Sequence, residues 1–152
     1  MEYEEVTREI IGCAYRAYNK MGFGFLESVY EKCLLIELRK AGLKAESQKP
    51  ITVFYDNEIV GEFVTDIIVN DIIILELKSA RQIVKAHEVQ LVNYLVATGK
   101  SVGLIINFGK RKVEIKRKLK DLTTNIDTNF EKSCQSCYPV KKSQNTQSDT
   151  KE

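Results

Sequence analysis

Glu76 is a charge set in a hydrophobic run, preceded by Ile72-Ile-Ile-Leu75 and followed by Leu77 and Lys78. In a strand the side-chain period is 2, so Glu76 and Lys78 point to the same face, adjacent along it. Burying either charge alone costs several kcal/mol, so a carboxylate and an ammonium on one partly buried face need each other, a metal ion or water. The plainest account is an ion pair at the end of a strand. A second interruption makes a chemical account more attractive. Asp66 lies ten residues earlier, between Phe63-Val-Thr65 and Ile67-Ile-Val69. Asp66, Glu76 and Lys78 form Asp-x9-Glu-x-Lys, in which two carboxylates supply hard oxygen ligands for Mg²⁺ and the lysine supplies a point charge near an attacking water or a scissile phosphate. That combination suits phosphodiester hydrolysis.

The elements that must position these residues follow from hydrophobic period. Val6, Ile10, Cys13, Ala14, Ala17 and Tyr18 recur at helical spacing, and Met21-Gly-Phe-Gly24 must end that helix. Leu26, Val29, Tyr30, Cys33, Leu34 and Leu38 mark a second helix, stopped near Gly42. Ile51 to Tyr55, Ile59 to Val69 and Ile72 to Leu77 are β-rich runs separated by Asp56-Asn57 and Asn70-Asp71, the pattern of an antiparallel meander. Ile83 to Thr98 returns to helical spacing, ends at Gly99 and leads to the apolar Val102-Gly-Leu-Ile-Ile106, a buried central strand of a βαβ unit. The order ααβββαββ predicts a three-layer αβα sandwich on a mixed sheet.

That order places a demand on the turn between the two carboxylate strands. A two-residue hairpin at Asn70-Asp71 would pair Val69 with Ile72, hence Asp66 with Leu75, and put the two carboxylates on opposite faces. A three-residue loop, or a bulge, pairs Asp66 with Glu76 and keeps Lys78 on their face. The site therefore requires an odd loop or a bulge, even though Asn-Asp invites a type I′ turn; both residues tolerate the left-handed conformation such loops need.

Composition bounds the rest. The 152 residues make one domain's worth, 43% hydrophobic with a net charge of +2, which excludes a second enzymatic domain and a uniformly basic nucleic-acid-binding chain. The positive charge is concentrated in residues 110–120, with seven basic side chains against one acidic. This stretch reads either as a phosphate-binding patch or as a lysine-studded edge strand that blocks sheet-to-sheet aggregation; without interleaved aromatics the second is the simpler account. From Asp121 onward the polar composition predicts a disordered tail, so the domain is read as 1–120 and the tail as 121–152. Cys134 and Cys137 in that tail resemble half a zinc site or a redox pair, but the single His and lack of a second Cys pair argue against a closed site, and the four cysteines are taken as reduced thiols. The acidic start excludes a signal peptide and no apolar run spans a bilayer, so the chain is expected to be soluble, cytoplasmic and free of the membrane.

Five ordered blocks carry a family resemblance: Gly24-Phe-Leu-Glu27-Ser-Val-Tyr30, Asp66, Glu76-Leu-Lys78, His87-Glu-Val-Gln90-Leu-Val-Asn-Tyr94-Leu95 and Gly103-Leu-Ile-Ile-Asn107-Phe-Gly109. Across roughly 5–117 the chain resembles the GxxExxY proteins, a branch of the PD-(D/E)xK nuclease superfamily. The resemblance implies a restriction-endonuclease-like fold and a Mg²⁺- or Mn²⁺-dependent nuclease acting on nucleic acid. It implies that Asp66 and Glu76 hold the metal, with the Leu77 carbonyl as a third ligand, that Lys78 orients or activates water, that Glu27 is an outer ligand, and that Gln90 touches substrate or the site. The Pro that names the superfamily is absent; Thr65 stands before Asp66.

Each satellite residue has a plainer role beside this one. Glu27 could simply favour a helix dipole, Tyr30 could be core, and His87 is more often structural than a ligand. Arg81 could meet phosphate or be solvated. The competing function is a catalytically silent nucleic-acid- or protein-binding module on the same fold, with a redox role for the tail cysteines a distant third. DNA and RNA stay undistinguished. With no separate recognition domain, strand specificity would come from a homo-oligomer or another protein. Glu27, Asp66, Glu76, Lys78 and Gln90 are expected to converge on one cleft, with the carboxylate pKa values raised when no metal is bound.

Overall fold

A computed structural model describes residues 3–120. The polar tail and its Cys134 and Cys137 lie outside the described residues. The elements are α1 (Glu4–Met21), α2 (Glu27–Lys40), β1 (Ala45–Tyr55), β2 (Glu58–Val69), β3 (Ile73–Lys78), α3 (Lys85–Thr98), β4 (Val102–Phe108) and β5 (Val113–Leu119). The order is the expected ααβββαββ. The sheet runs β1-β2-β3-β4-β5, antiparallel except for the parallel β3–β4 pair joined through α3. This is an α/β fold with a mixed sheet, consistent with a restriction-endonuclease-like architecture.

Strand parity divides the core between two faces. Ile73, Leu75 and Leu77 join Ile67 and Val69 against Ile10, Cys13 and Ala14 of α1 and Tyr30, Leu34 and Leu38 of α2. The alternate residues Ile68, Ile74 and Ile105 pack instead with Ile83, Leu91 and Leu95 of the α3 region. A residue sharing parity with Ile74, as Glu76 and Lys78 do, therefore points to the α3 side. Gly103 is required by this packing: a Cβ there would lie 2.7 Å from Leu91 Cδ1, so α3 seats Leu91 directly on the β4 backbone. All of β4 is buried, which explains its unbroken apolar run.

Two boundaries and one buried charge differ from the hydrophobic pattern. β1 begins at Ala45, six residues before Ile51, through the polar Glu46-Ser-Gln-Lys-Pro50. It is an edge strand bonded on one side only, which tolerates Pro50 and polar residues that a central strand would not. α3 begins at Lys85, two residues after the buried Ile83, which packs from the preceding loop. Glu37, on the apolar face of α2, is buried, with Arg16 and Lys20 of α1 each 3.2 Å from its carboxylate. Their hydrogen bonds, that of Lys20 foremost, hold its pKa below the usual carboxylate value against the opposing effect of burial. The basic stretch supplies the end of the β4–β5 turn and β5 itself, an edge strand as expected. Among the described residues no helix is long and apolar enough to cross a membrane.

Candidate active site at the fork of β2 and β3

The turn between the two carboxylate strands sets the site. Asn70 and Asp71 both adopt left-handed backbone, at φ 52° and 58°, and Ile72 N–H donates to Val69 O at 2.9 Å, as in a type I′ turn. The strands nevertheless pair Val69 with Ile73, Ile68 with Ile74 and Ile67 with Leu75. Ile72 is thus an extra residue: the invited tight turn and the required odd register coexist because the bulge follows the turn. Asn70 is anchored on both sides, its amide donating to Lys44 O at 2.7 Å and its Oδ1 accepting from Lys44 N–H at 2.9 Å. A regular hairpin pairing Asp66 with Leu75 does not occur.

Beyond Ile67 and Leu75 the ladder stops and a side chain takes over. Leu77 N–H donates to Asp66 Oδ2 at 2.7 Å, so the carboxylate occupies the position where a strand partner would have accepted. Burial raises the Asp66 pKa, opposed by this backbone bond, and the charges of Glu31 and Glu27 raise it further. Glu76 is only 7% exposed, and burial, then the Asp66 charge, push its pKa up to about 8, with Lys78 and the Asp66 amide pulling the other way. Glu76 Oε2 is buried with no hydrogen-bond partner. No Glu76–Lys78 salt bridge forms among the described residues, so the strand-end ion pair is not what satisfies this carboxylate.

Glu27, the first residue of α2, comes to the same place. Its Oε2 accepts from Ser79 N–H at 3.2 Å, one residue past Lys78, and its charge acts on both Asp66 and Glu76. It stands where an acid favours the helix dipole, but its hydrogen bond bridges to the end of β3 rather than capping its own helix. Glu27, Asp66, Glu76 and Lys78 are therefore brought together. Gln90 is exposed on α3, and no hydrogen bond joins it to the carboxylates among the described residues. His87 serves its own helix, its Nδ1 accepting from Val84 N–H at 3.2 Å. Tyr30 is fully buried core, and Arg81 is exposed.

Two residues enter the site without having been singled out for it. Tyr94, stacked on Phe63 at 4.1 Å, faces the carboxylates: burial raises its phenol pKa first, and the charges of Glu76 and Asp66 raise it further. Asn107, fully buried at the position paired with Lys78, clamps the following loop: its Oδ1 accepts from Ala80 N–H at 2.8 Å and its Nδ2 donates to Ala80 O at 3.0 Å. Its polarity inside an otherwise apolar strand was the available signal, since a buried amide must find partners.

Among the described residues no three Asp, Glu, His or Cys side chains make a ready metal cage. The donor set is instead two carboxylates whose pKa values burial raises, Glu76 further raised by the Asp66 charge and left with an orphaned oxygen; a divalent cation would satisfy both conditions.

Comparison with known proteins agrees with the architecture. A family model of the PD-(D/E)XK nuclease superfamily matches residues 4–118. The crystal structure of SSO0001 superposes with a TM-score of 0.52 at 17% identity; the likeness covers 78% of this chain and 60% of that one, and concerns the fold. No curated protein sequence matches the chain.

Proposed function

The chain belongs to the PD-(D/E)XK nuclease superfamily, and from that premise we propose that it is a divalent-cation-dependent phosphodiesterase acting on nucleic acid. The carrying observation is the buried, unpartnered Glu76 Oε2 beside Asp66 on the face that also carries Lys78. Asp66 and Glu76 would hold Mg²⁺ or Mn²⁺, with the Leu77 carbonyl completing the protein ligands and Glu27 holding an outer water. The cation supplies Lewis-acid stabilisation of a phosphoryl oxygen and a water of lowered pKa.

The chain's own residues do the remaining work. Leu77 N–H fixes the orientation of Asp66. Lys78 presents an ammonium on the carboxylates' face, where it orients the attacking water and stabilises charge developing on phosphate. Glu27, through Ser79, and Asn107, through Ala80, hold the backbone immediately after Lys78. Gln90 is exposed on α3 one helical turn before Tyr94, and its role would be toward substrate rather than the metal ligands. The Gly24, Glu27 and Tyr30 pattern supports placement in the GxxExxY branch.

The test separates binding from chemistry. Asp66→Ala should lose both Mn²⁺ binding by calorimetry and cleavage of labelled oligonucleotides. Lys78→Ala should keep metal affinity within a few-fold and lose cleavage, since lysine ligates no metal. Wild-type protein that binds Mn²⁺ but cuts neither DNA nor RNA would favour the silent binding module; cleavage by Lys78→Ala at the wild-type rate would refute the mechanism.

A further inference from the structure

We propose that the α1–α2 loop and the β4–β5 turn together form a binding face for unpaired nucleotides, with Phe23 and Phe25 stacking bases and Lys110, Arg111 and Lys112 holding the phosphates. The inference rests on the nucleic-acid reading above and names its substrate class as single-stranded or locally unpaired rather than continuous duplex.

The loop is the unusual surface. Phe23, Phe25 and Leu26 are consecutive large apolar side chains around Gly24, exposed at 51%, 42% and 75%. Exposed aromatics in such a cluster mark an interaction site more often than chance. The loop is also held in shape, not left free. Tyr30 Oη donates to Gly22 O and accepts from Phe25 N–H at 3.4 Å, and the Phe25 ring meets the Tyr30 ring edge-on at 6.1 Å. Ser79 Oγ donates to Phe25 O at 3.0 Å, which attaches the loop directly to the residue following Lys78. The aromatics therefore border the candidate active site.

The basic turn reaches the same place by a second route. Tyr30 stacks on Phe108 with centroids 4.3 Å apart and planes within 3°, and Phe108 is the last residue of β4. The Tyr18 ring also meets Phe108, with centroids 6.4 Å apart, and its hydroxyl donates to Gly109 O at 2.6 Å and to Lys110 O at 3.1 Å. Lys110, Arg111 and Lys112 are all exposed on that turn. Phe108, Tyr18 and Tyr30 thus form one aromatic group, which the Phe23–Leu26 loop meets through Tyr30 and the basic turn through Tyr18. Stacking rings next to a cluster of cations is the arrangement that binds single strands, because every base has a π-face and every nucleotide a phosphate. The aromatic partners for the basic stretch come from far away in sequence.

Charge alone would favour duplex, whose phosphate density is higher; stacking on exposed bases is what reverses the preference. Fluorescence anisotropy with a labelled oligodeoxynucleotide, its duplex, and the same duplex carrying an unpaired tail, all in EDTA so that nothing is cut, reads this directly. Wild-type protein should prefer the single strand and the tailed duplex. Phe23→Ala with Phe25→Ala should weaken single-strand binding by about 30-fold or more and leave duplex binding nearly unchanged, while Phe25→Trp should retain it. Replacing Lys110, Arg111 and Lys112 with Ala should weaken all three probes and lower the salt slope by roughly 2. Wild-type preference for duplex, phenylalanine variants that bind as wild type, or no binding of any probe would overturn the proposal. Cleavage with Mn²⁺ is measured separately, so binding without cleavage condemns the nuclease reading alone, and cleavage insensitive to the phenylalanines condemns this one alone.

Discussion

Glu76 offers the sharpest physical test, because its burial should appear in stability before any activity is measured. In the unfolded chain its carboxyl titrates near 4.5, and in the folded protein near 8. Between those values the folded state holds a proton that the unfolded state has released, so stability falls as pH rises and levels off above the folded value. At about 1.36 kcal/mol per unit the full loss approaches roughly 5 kcal/mol, of which about 2.5–3 kcal/mol falls between roughly pH 6 and pH 9. Asp66, also raised by burial, adds in the same direction. Glu37, Glu46 and Glu88 are shifted down and lose their contributions only in acid, outside this window. Glu76→Gln mimics the protonated carboxyl without titrating, so its thermal midpoint should lose most of the drop of roughly 10 °C that the wild type shows from pH 6 to 9. Urea unfolding at several pH values measures the same gap as free energy. Mn²⁺ should rescue the wild type more at high pH, where Glu76 has less proton to release, and should not rescue the variant. Parallel pH profiles for the two proteins would refute the claim that Glu76 is held in a dry, repulsive setting.

The packing and the turn make further commitments. Gly103→Ala should destabilise by about 1–3 kcal/mol through the clash with Leu91, and a double-mutant cycle with Leu91→Ala should show that cost largely removed. Asn107→Ala should cost about 2–4 kcal/mol in urea unfolding, since it strands both backbone groups of Ala80 as well as opening a cavity. Deleting Ile72 should cost only about 1–2 kcal/mol and leave Mn²⁺ binding intact, because it removes the bulge and leaves a regular two-residue hairpin with Val69 still opposite Ile73. A folded deletion protein that no longer binds Mn²⁺ would show that Ile72 is not the extra residue.

How much of this was legible depended on how local each cause is. Period alone located the helices and the buried strands, because each reflects the face that one element buries. It missed the start of β1, since an edge strand bonded on one side permits the polar Glu46–Pro50 stretch. Glu76 and Lys78 stood out as charges in an apolar strand, and counting residues through the turn showed that an odd number must intervene. Tyr94 and Asn107 did not stand out as site residues, because their roles depend on elements that meet only in the fold: Asn107 clamps a residue 27 positions away. The basic stretch reads as edge protection for the same reason; the aromatic side chain that bonds its turn, Tyr18, comes from α1.

The fork itself explains why charge collects where it does. Where β2 leaves β3, Leu77 N–H has no strand partner beyond Leu75, and an unpaired buried donor is costly. Asp66 supplies the acceptor, but that places a second carboxylate against Glu76 in a buried site, so burial and the Asp66 charge raise the Glu76 pKa and one oxygen of Glu76 remains without a partner. An arrangement selected for stability alone would end the strand with an amide or hydroxyl, which accepts the same hydrogen bond without the repulsion. Two acids are the expensive solution, and a site tolerates that cost where the charge has work to do. The bulge at Ile72 belongs to the same logic, since a hairpin that paired Ile72 itself with Val69 would put Asp66 opposite Leu75 and separate the acids, ending any capacity to share a cation between them.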